Sequence, residues 1–148
     1  MNGVVSLACI DCKKEYEPVK IWRCECGGLL EVVIHEASVS CKEFDERAKK
    51  VPYQSGVWRY IELVHPLIDV NKIITRPEGN TNIYYHKKIC EYADAEAYLK
   101  HEGENPTGSF KDRGMTVGIS EANRLGADTV ACASTGNTSA SLASYAAF

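Results

Sequence analysis

Asn105-Pro106-Thr107-Gly108-Ser109-Phe110-Lys111-Asp112-Arg113-Gly114-Met115 is the stretch on which this sequence turns. Asn105 to Gly108 read as a turn-rich loop, and a helix is expected to begin at Ser109 or Phe110. Met115, Ile119, Ala122 and Leu125 then recur at helical spacing on one face, and Gly126 stops the helix. Lys111 therefore falls in a helix's first turn. A structural lysine is out of place there, because the positive end of the helix dipole disfavours a cation. The same field, joined to partial burial, favours the neutral amine that Schiff-base chemistry needs. The plainer reading is a solvated lysine followed by Asp112 and Arg113 as ordinary helix charges, and spacing alone leans that way.

A second stretch shifts the balance. Residues 128–133 read as a short buried strand, Thr129-Val130-Ala131-Cys132-Ala133, running into Ser134-Thr135-Gly136-Asn137-Thr138-Ser139. Residues 140–148 then read as a helix. A strand that feeds a hydroxyl-rich turn and a helix N-terminus presents backbone N–H groups and hydroxyls to an anion. In α/β proteins ligands bind at such carboxyl ends of strands. A plain N-capped helix with Thr135 or Asn137 as cap is the simpler alternative, and the two readings are compatible.

Toward the N-terminus, Cys9 and Cys12 form Cys-x-x-Cys, and Cys24 and Cys26 form Cys-x-Cys before Gly27-Gly28. Val19, Ile21, Leu29, Leu30, Val32, Val33 and Ile34 give β-type runs around the second pair. Two turns bearing paired thiolates, joined by a hairpin, are the layout of a zinc ribbon, since Zn2+ takes four such ligands in a tetrahedron. The glycines after Cys26 fit a tight turn where N–H groups approach sulfur. Unligated thiols in a small β module are the alternative. Cys-x-Cys departs from the commoner spacing, and the metal can be lost while such a module survives. Cys41, Cys90 and Cys132 stand alone as small buried hydrophobes or bystanders.

Between these regions, residues 40–51 predict a short amphipathic helix with Ser40 as N-cap, Glu43 three residues on, and Phe44 and Ala48 on its apolar face. Pro52 ends it. Pro77-Glu78-Gly79-Asn80 is a turn signal. Residues 82–88 and 96–100 read as strands. Hydrophobic residues at 45% and charged residues at 25% fit a folded globular chain and exclude a disordered one. A net charge of −3 without a basic block gives no footprint for nucleic acid or an anionic membrane. No apolar run reaches the length of a membrane span. Seven cysteines without an export signal point to a reducing cytoplasm and metal binding over a disulfide framework.

Residues 105–115 and the loop Ser134-Thr135-Gly136-Asn137-Thr138-Ser139-Ala140-Ser141 resemble the corresponding motifs of the threonine synthases, pyridoxal 5′-phosphate (PLP) enzymes of the tryptophan-synthase-β fold type. The paired-cysteine ribbon, Trp58-Arg59-Tyr60 and Glu78-Gly79-Asn80-Thr81 also have counterparts there. Asn82 departs from the family, which usually carries proline after Gly-Asn-Thr. The resemblance implies that Lys111 forms the Schiff base with PLP and then moves protons at the substrate's α and β carbons. It implies that Asn137 bonds the cofactor's phenolic oxygen, and that Ser134, Thr135 and Thr138 receive the carboxylate or phosphate of O-phosphohomoserine. The implied reaction releases phosphate and adds water to give L-threonine.

The expected architecture is α/β: a zinc-ribbon-like module over residues 1–35, a connector over 36–80, and the first part of a PLP fold-type-II catalytic domain over 81–148. That family continues well beyond this length, with a glycine-rich loop for the cofactor phosphate and a hydroxyl partner for the pyridine nitrogen, and neither is legible here. A helix still open at Phe148 agrees. The chain thus reads as a shortened or split product, or as one piece of a two-chain enzyme, that binds PLP weakly and turns over nothing alone. Pairing with a missing C-terminal part, or homodimerisation through exposed sheet edges, would follow. The rival functions are another fold-type-II lyase such as a serine/threonine dehydratase, and a non-enzymatic zinc-ribbon remnant serving assembly or regulation.

Overall fold

The computed structural model describes residues 4–18, 20–35 and 37–148 and has a mixed α/β fold. Three strands open the chain: β1 (Val5–Cys9), β2 (Glu15–Tyr16) and β3 (Leu30–Ile34). β1 is central and antiparallel to both neighbours, with Leu7 opposite Tyr16 on one side and Val32 on the other. The β-type run expected around the second cysteine pair is realised at β3, whereas Ile21 lies outside any strand and Val19 lies outside the described residues. Val5, Ala8 and Cys9 of the central strand are buried, while Val32 on the edge strand β3 is 62% exposed.

α1 (Cys41–Arg47) begins where the Ser40 signal places it. The Ser40 hydroxyl accepts the Glu43 N–H, and the Glu43 carboxylate accepts the Ser40 N–H at 2.8 Å, a complete capping box. It ends at Ala48, before Pro52. Phe44 meets Tyr60 edge-on at 4.8 Å, and Arg47 reaches both oxygens of Glu62 at 2.8 Å. A 3-10 turn, Trp58–Tyr60, runs into α2 (Ile61–Val64). Trp58 is fully buried, and its indole N–H donates to Thr116 Oγ1 at 2.7 Å.

The two strands expected over 82–101 are shorter than their sequence pattern: β4 (Ile83–Tyr85) and β5 (Tyr98–Lys100), antiparallel with Tyr84 opposite Leu99. α3 (Lys87–Ala93) takes the place of the end of the first. Lys87 and Glu91, one turn apart, pair at 3.6 Å on its exposed face. Asn82 puts to use the backbone N–H that a proline there would lack: it donates to Glu104 Oε2 at 2.7 Å.

α4 (Lys111–Arg124) buries Ile119 of the face that the apolar spacing predicts, but the rest of its buried stripe is polar. Asp112, Thr116, Ile119 and Ser120 are buried, whereas Leu125 is 41% exposed. The cause is an extended segment around Ile74 that lies across the helix. Ile74 N–H donates to Ser120 Oγ at 2.8 Å, and Thr116 Oγ1 donates to Ile74 O at 2.6 Å. Buried backbone groups need partners, and a hydroxyl stripe supplies them where no strand does.

The strand expected over 128–133 does not form. Among the described residues no strand lies beside it, and a lone segment has no ladder to join. α5 (Asn137–Ala146) starts three residues before the expected 140 and ends before Phe148, so the helix does not run on through the last residue described. Its N-cap is Gly136, with no side-chain cap bond from Thr135 or Asn137. Cys41 and Cys132 are exposed and only Cys90 is half-buried, which makes the first two bystanders and not core hydrophobes. No helix among the described residues is long and apolar enough to cross a membrane.

Candidate active site

Lys111 is the first residue of α4, as its position in the motif predicts. Its side chain is half-buried, and its amine lies over the Phe110 ring, 4.6 Å from the centroid, in no ion pair among the described residues. The turn that carries it is clamped. Asp112 is completely buried; Thr107 N–H donates to its Oδ2 at 2.7 Å, and Thr107 Oγ1 donates to its Oδ1 at 2.6 Å. Ser109 Oγ accepts the Lys111 N–H at 3.3 Å, which ties the backbone of the lysine itself into the same turn.

α4 and α5 pack against each other. Ser141 Oγ donates to Asp112 Oδ1 at 2.5 Å, joining the lysine turn to α5. Asn137 is the first residue of α5 and Thr138 the second, so both sit in the helix's opening turn and not in the loop before it. Their backbone N–H groups belong to the unpaired set at a helix start. Ser134 and Thr135 lie just ahead. Ser134 Oγ accepts the Gly136 N–H at 3.2 Å, while the side chains of Thr135, Asn137 and Thr138 form no hydrogen bond among the described residues. Hydroxyls, an amide and N-terminal N–H groups thus stand uncommitted at the positive end of one helix, on the helix that Asp112 fastens to Lys111.

Sequence reading missed three buried groups that hold this arrangement. Asp112 was expected to be a structural charge within its own helix, yet its partners are Thr107 and Ser141. Ser141 was read only as part of the loop motif. Glu78 carries a turn signal and a family resemblance in the sequence, but nothing there marks it as buried. It is fully buried, and its carboxylate accepts from Ser55 Oγ, from Thr75 Oγ1 at 3.0 Å, from Arg76 N–H at 3.1 Å and from Tyr145 OH at 2.8 Å. Asn137, Ser141 and Tyr145 are spaced by four, which places them on one face of α5; that spacing was the available signal. The Gly79 N–H next to Glu78 donates to Asn105 Oδ1 at 2.9 Å. Arg113 holds Glu102 with two bonds, at 2.8 and 2.9 Å, and this pairing takes the Glu102 carboxyl down to about 2.

Far along the chain from this pair of helices, the two cysteine pairs meet. Sγ atoms of Cys9, Cys12, Cys24 and Cys26 all lie within 4.8 Å of one another. Cys9 and Cys26 are 3.5 Å apart, as are Cys12 and Cys24. The edge of a tetrahedron of thiolates around Zn2+ is about 3.8 Å, from Zn–S bonds of about 2.3 Å. Two turns bring the sulfurs in: Cys12 N–H approaches Cys9 Sγ at 3.5 Å, and Cys24 N–H donates to Gly28 O at 3.0 Å. At Gly28 a β-carbon would lie 2.8 Å from Cys9 Sγ and 2.4 Å from Asp11 Oδ2, so this position has no room for a side chain. The Tyr16 hydroxyl, 3.1 Å from Cys24 Sγ, together with the Cys26 N–H lowers that thiol to about 6. The Gly28 N–H favours the Cys26 thiolate, but the neighbouring sulfurs outweigh it and push the group up to about 12.

Similarity to known proteins agrees with the helix pair. The family model for pyridoxal-phosphate dependent enzymes matches residues 74–148, which contain both. The chain is 50% identical to a threonine synthase of Methanocaldococcus jannaschii, over 94% of this chain and 34% of that protein. It is 46% identical to one of Methanosarcina acetivorans, over 95% of this chain and 34% of that protein. It is 38% identical to threonine synthase 2, chloroplastic, of Arabidopsis thaliana, over 86% of this chain and 28% of that protein. The chain therefore spans about a third of the length of the curated relatives it matches. With more than half of its residues inside the family match, and Lys111 at the head of a helix locked to the anion-ready start of another, the chain belongs to the pyridoxal-phosphate dependent enzyme family.

Proposed function

We propose that this chain carries the cofactor lysine and the anion-receiving helix of a threonine synthase. The reaction is O-phosphohomoserine plus water giving L-threonine and phosphate: the β carbon gives up a proton, the γ C–O bond breaks with its electron pair leaving on phosphate, the γ carbon takes up a proton to become the methyl group, and water adds its hydroxyl at the β carbon and its proton at the α carbon, which restores the one lost there. The observation that carries the reading is the Asp112 link between the turn of Lys111 and the helix of Asn137.

Lys111 holds PLP covalently through its amine and then moves protons at the α and β carbons. An amine at a helix N-terminus, with no ion pair among the described residues, suits both tasks. PLP, once bound, supplies the electron sink for charge developed at the substrate carbons. Asn137 offers its amide to the cofactor's phenolic oxygen. Ser134, Thr135 and Thr138 offer hydroxyls and the helix start to the substrate's carboxylate or phosphate, where N–H groups and dipole favour an anion. Asp112 and Glu102 keep their own donors and take no part in proton transfer.

Cys9, Cys12, Cys24 and Cys26 hold a structural Zn2+. The spacing of their sulfurs and the side-chain-free approach at Gly28 support that set. All four positions go to cysteine, which leaves no open site for a catalytic water.

The test is product analysis on the protein in which this chain occurs, with PLP present. Phosphate release from O-phosphohomoserine that disappears in Lys111→Ala is the expected result. Ammonia release from L-serine or L-threonine without phosphate release would move the protein to the dehydratases. That rival shares the Ser109-Phe110-Lys111 core, so only the products separate the two.

A further inference from the structure

We propose that Asp112 is a positioning residue: its buried carboxylate sets where the Lys111 amine stands relative to the start of α5. The inference rests on the cofactor role given to Lys111 above. Asp112 is completely buried and forms no salt bridge among the described residues. Its charge is met by three donors from two places, Thr107 N–H at 2.7 Å, Thr107 Oγ1 at 2.6 Å and Ser141 Oγ at 2.5 Å. The Thr107 bonds close residues 107–112 into a ring, so the turn before Lys111 cannot open without unpairing a buried charge. The Ser141 bond reaches across to α5. Ser141 lies four residues after Asn137, one helical turn further along the same face. A slide of α5 along α4 therefore breaks the same carboxylate's bonds that shape the lysine turn.

Stability alone is a weak reason for this choice. A buried charge gains little over well-packed apolar side chains, and what it adds is a demand for one geometry. Arg113, the next residue, is held outward by Glu102 through two bonds. Lys111 is thus followed by two residues fixed to different places, Asp112 to α5 and Arg113 to Glu102 in the preceding loop, and its own amine has no charged partner among the described residues.

The geometry is tested by trapping. The intact chain is incubated with PLP, reduced with borohydride, and digested, and the share of pyridoxyl label on Lys111 is compared with that on its other lysines across a pH series. Two variants of nearly equal shape, Ser141→Thr and Ser141→Val, differ in the hydroxyl. Wild type and Ser141→Thr are expected to favour Lys111. Ser141→Val and Asp112→Asn are expected to lose that preference by about fivefold, the equivalent of one hydrogen bond, and to shift the pH at which Lys111 labels. Should the larger side chains at 141 or the Asp112 variant fail to fold, Ser141→Ala against wild type makes the same comparison. A purely structural role would lower thermal stability and leave the site preference and its pH profile alone; equal labelling in the valine and threonine variants overturns the proposal. Absence of Lys111 preference in the wild type overturns the cofactor assignment itself and this inference with it.

Discussion

The Tyr145 hydroxyl donates to Glu78 Oε2 at 2.8 Å, both side chains being completely buried. Burial and the neighbouring carboxylate together hold the phenol far above its ordinary range, so it stays a donor. Through this bond α5 is fastened at its far end to the segment 75–78, as it is fastened near its start to Asp112. Tyr145→Phe removes one donor to a buried carboxylate and is expected to cost about 1.5–3 kcal/mol. Glu78→Ala strands the Ser55, Thr75 and Tyr145 hydroxyls together and should cost more. Urea unfolding of the two variants checks the order. No loss in Tyr145→Phe would mean that the phenol contributes packing alone.

Acid should weaken the fold through Glu102. Arg113 draws its folded-state value down to about 2 from an ordinary carboxyl value of 4.5. The unfolded chain then binds the proton first as pH falls, so stability is fully present above about 4.5 and drains away toward pH 2. Glu104, lowered to about 2 chiefly by the Tyr84 hydroxyl, acts in the same window. Denaturation midpoints at pH 3 and pH 6 should differ less in Glu102→Gln than in wild type. An unchanged difference would remove Glu102 from the acid response.

Gly56 and Gly79 cross with their backbones in contact. A β-carbon on Gly56 would lie 2.3 Å from Asn80 N and 2.8 Å from Gly79 Cα. Gly56→Ala must push apart two backbone segments and is expected to cost about 1–3 kcal/mol. Gly118, inside α4, has open space at its β-carbon. There Gly118→Ala should gain about 1 kcal/mol from helix propensity. Thermal melts of both variants report the contrast in sign, and destabilisation by both would contradict it.

The cysteine cluster predicts one Zn2+ per chain, released by chelator, with melting temperature falling on removal. Gly28→Ala should weaken binding without replacing a ligand, because its β-carbon falls against Cys9 Sγ and Asp11. Metal content by mass spectrometry, with a chromophoric chelator as competitor, measures both. A chain that carries no zinc and melts identically after chelation would leave a β module with unligated thiols.

Sequence reading reached the local features and stopped at pairings. The Ser40–Glu43 capping box, the placing of Lys111 in the first turn of α4 and the gathering of Cys9, Cys12, Cys24 and Cys26 depend on neighbours in sequence or on ligand spacing, and they were legible. The strand over 128–133 was not decidable that way: Thr129, Val130 and Cys132 have the composition of a strand, but a strand exists only beside another. The polar part of the buried side of α4 was not legible, because hydrophobic periodicity picks out Ile119 but not Asp112, Thr116 or Ser120. The real contact is with the polar backbone of Ile74, which Thr116 and Ser120 satisfy. Residues 87 and 88 were expected to end a strand, yet they open α3, in line with the helix-forming Lys87–Glu91 spacing. Asp112 and Glu78 were invisible as hubs, since their partners lie 29 and 67 residues away.

Where PLP attaches is the most direct measurement. Borohydride reduction of the PLP-treated chain, followed by peptide mapping, reads the site without requiring turnover. Pyridoxyl label concentrated on Lys111, and abolished there by Lys111→Arg, is the predicted result. Label spread over the exposed lysines with Lys111 unmodified would contradict the cofactor role on which the site is built.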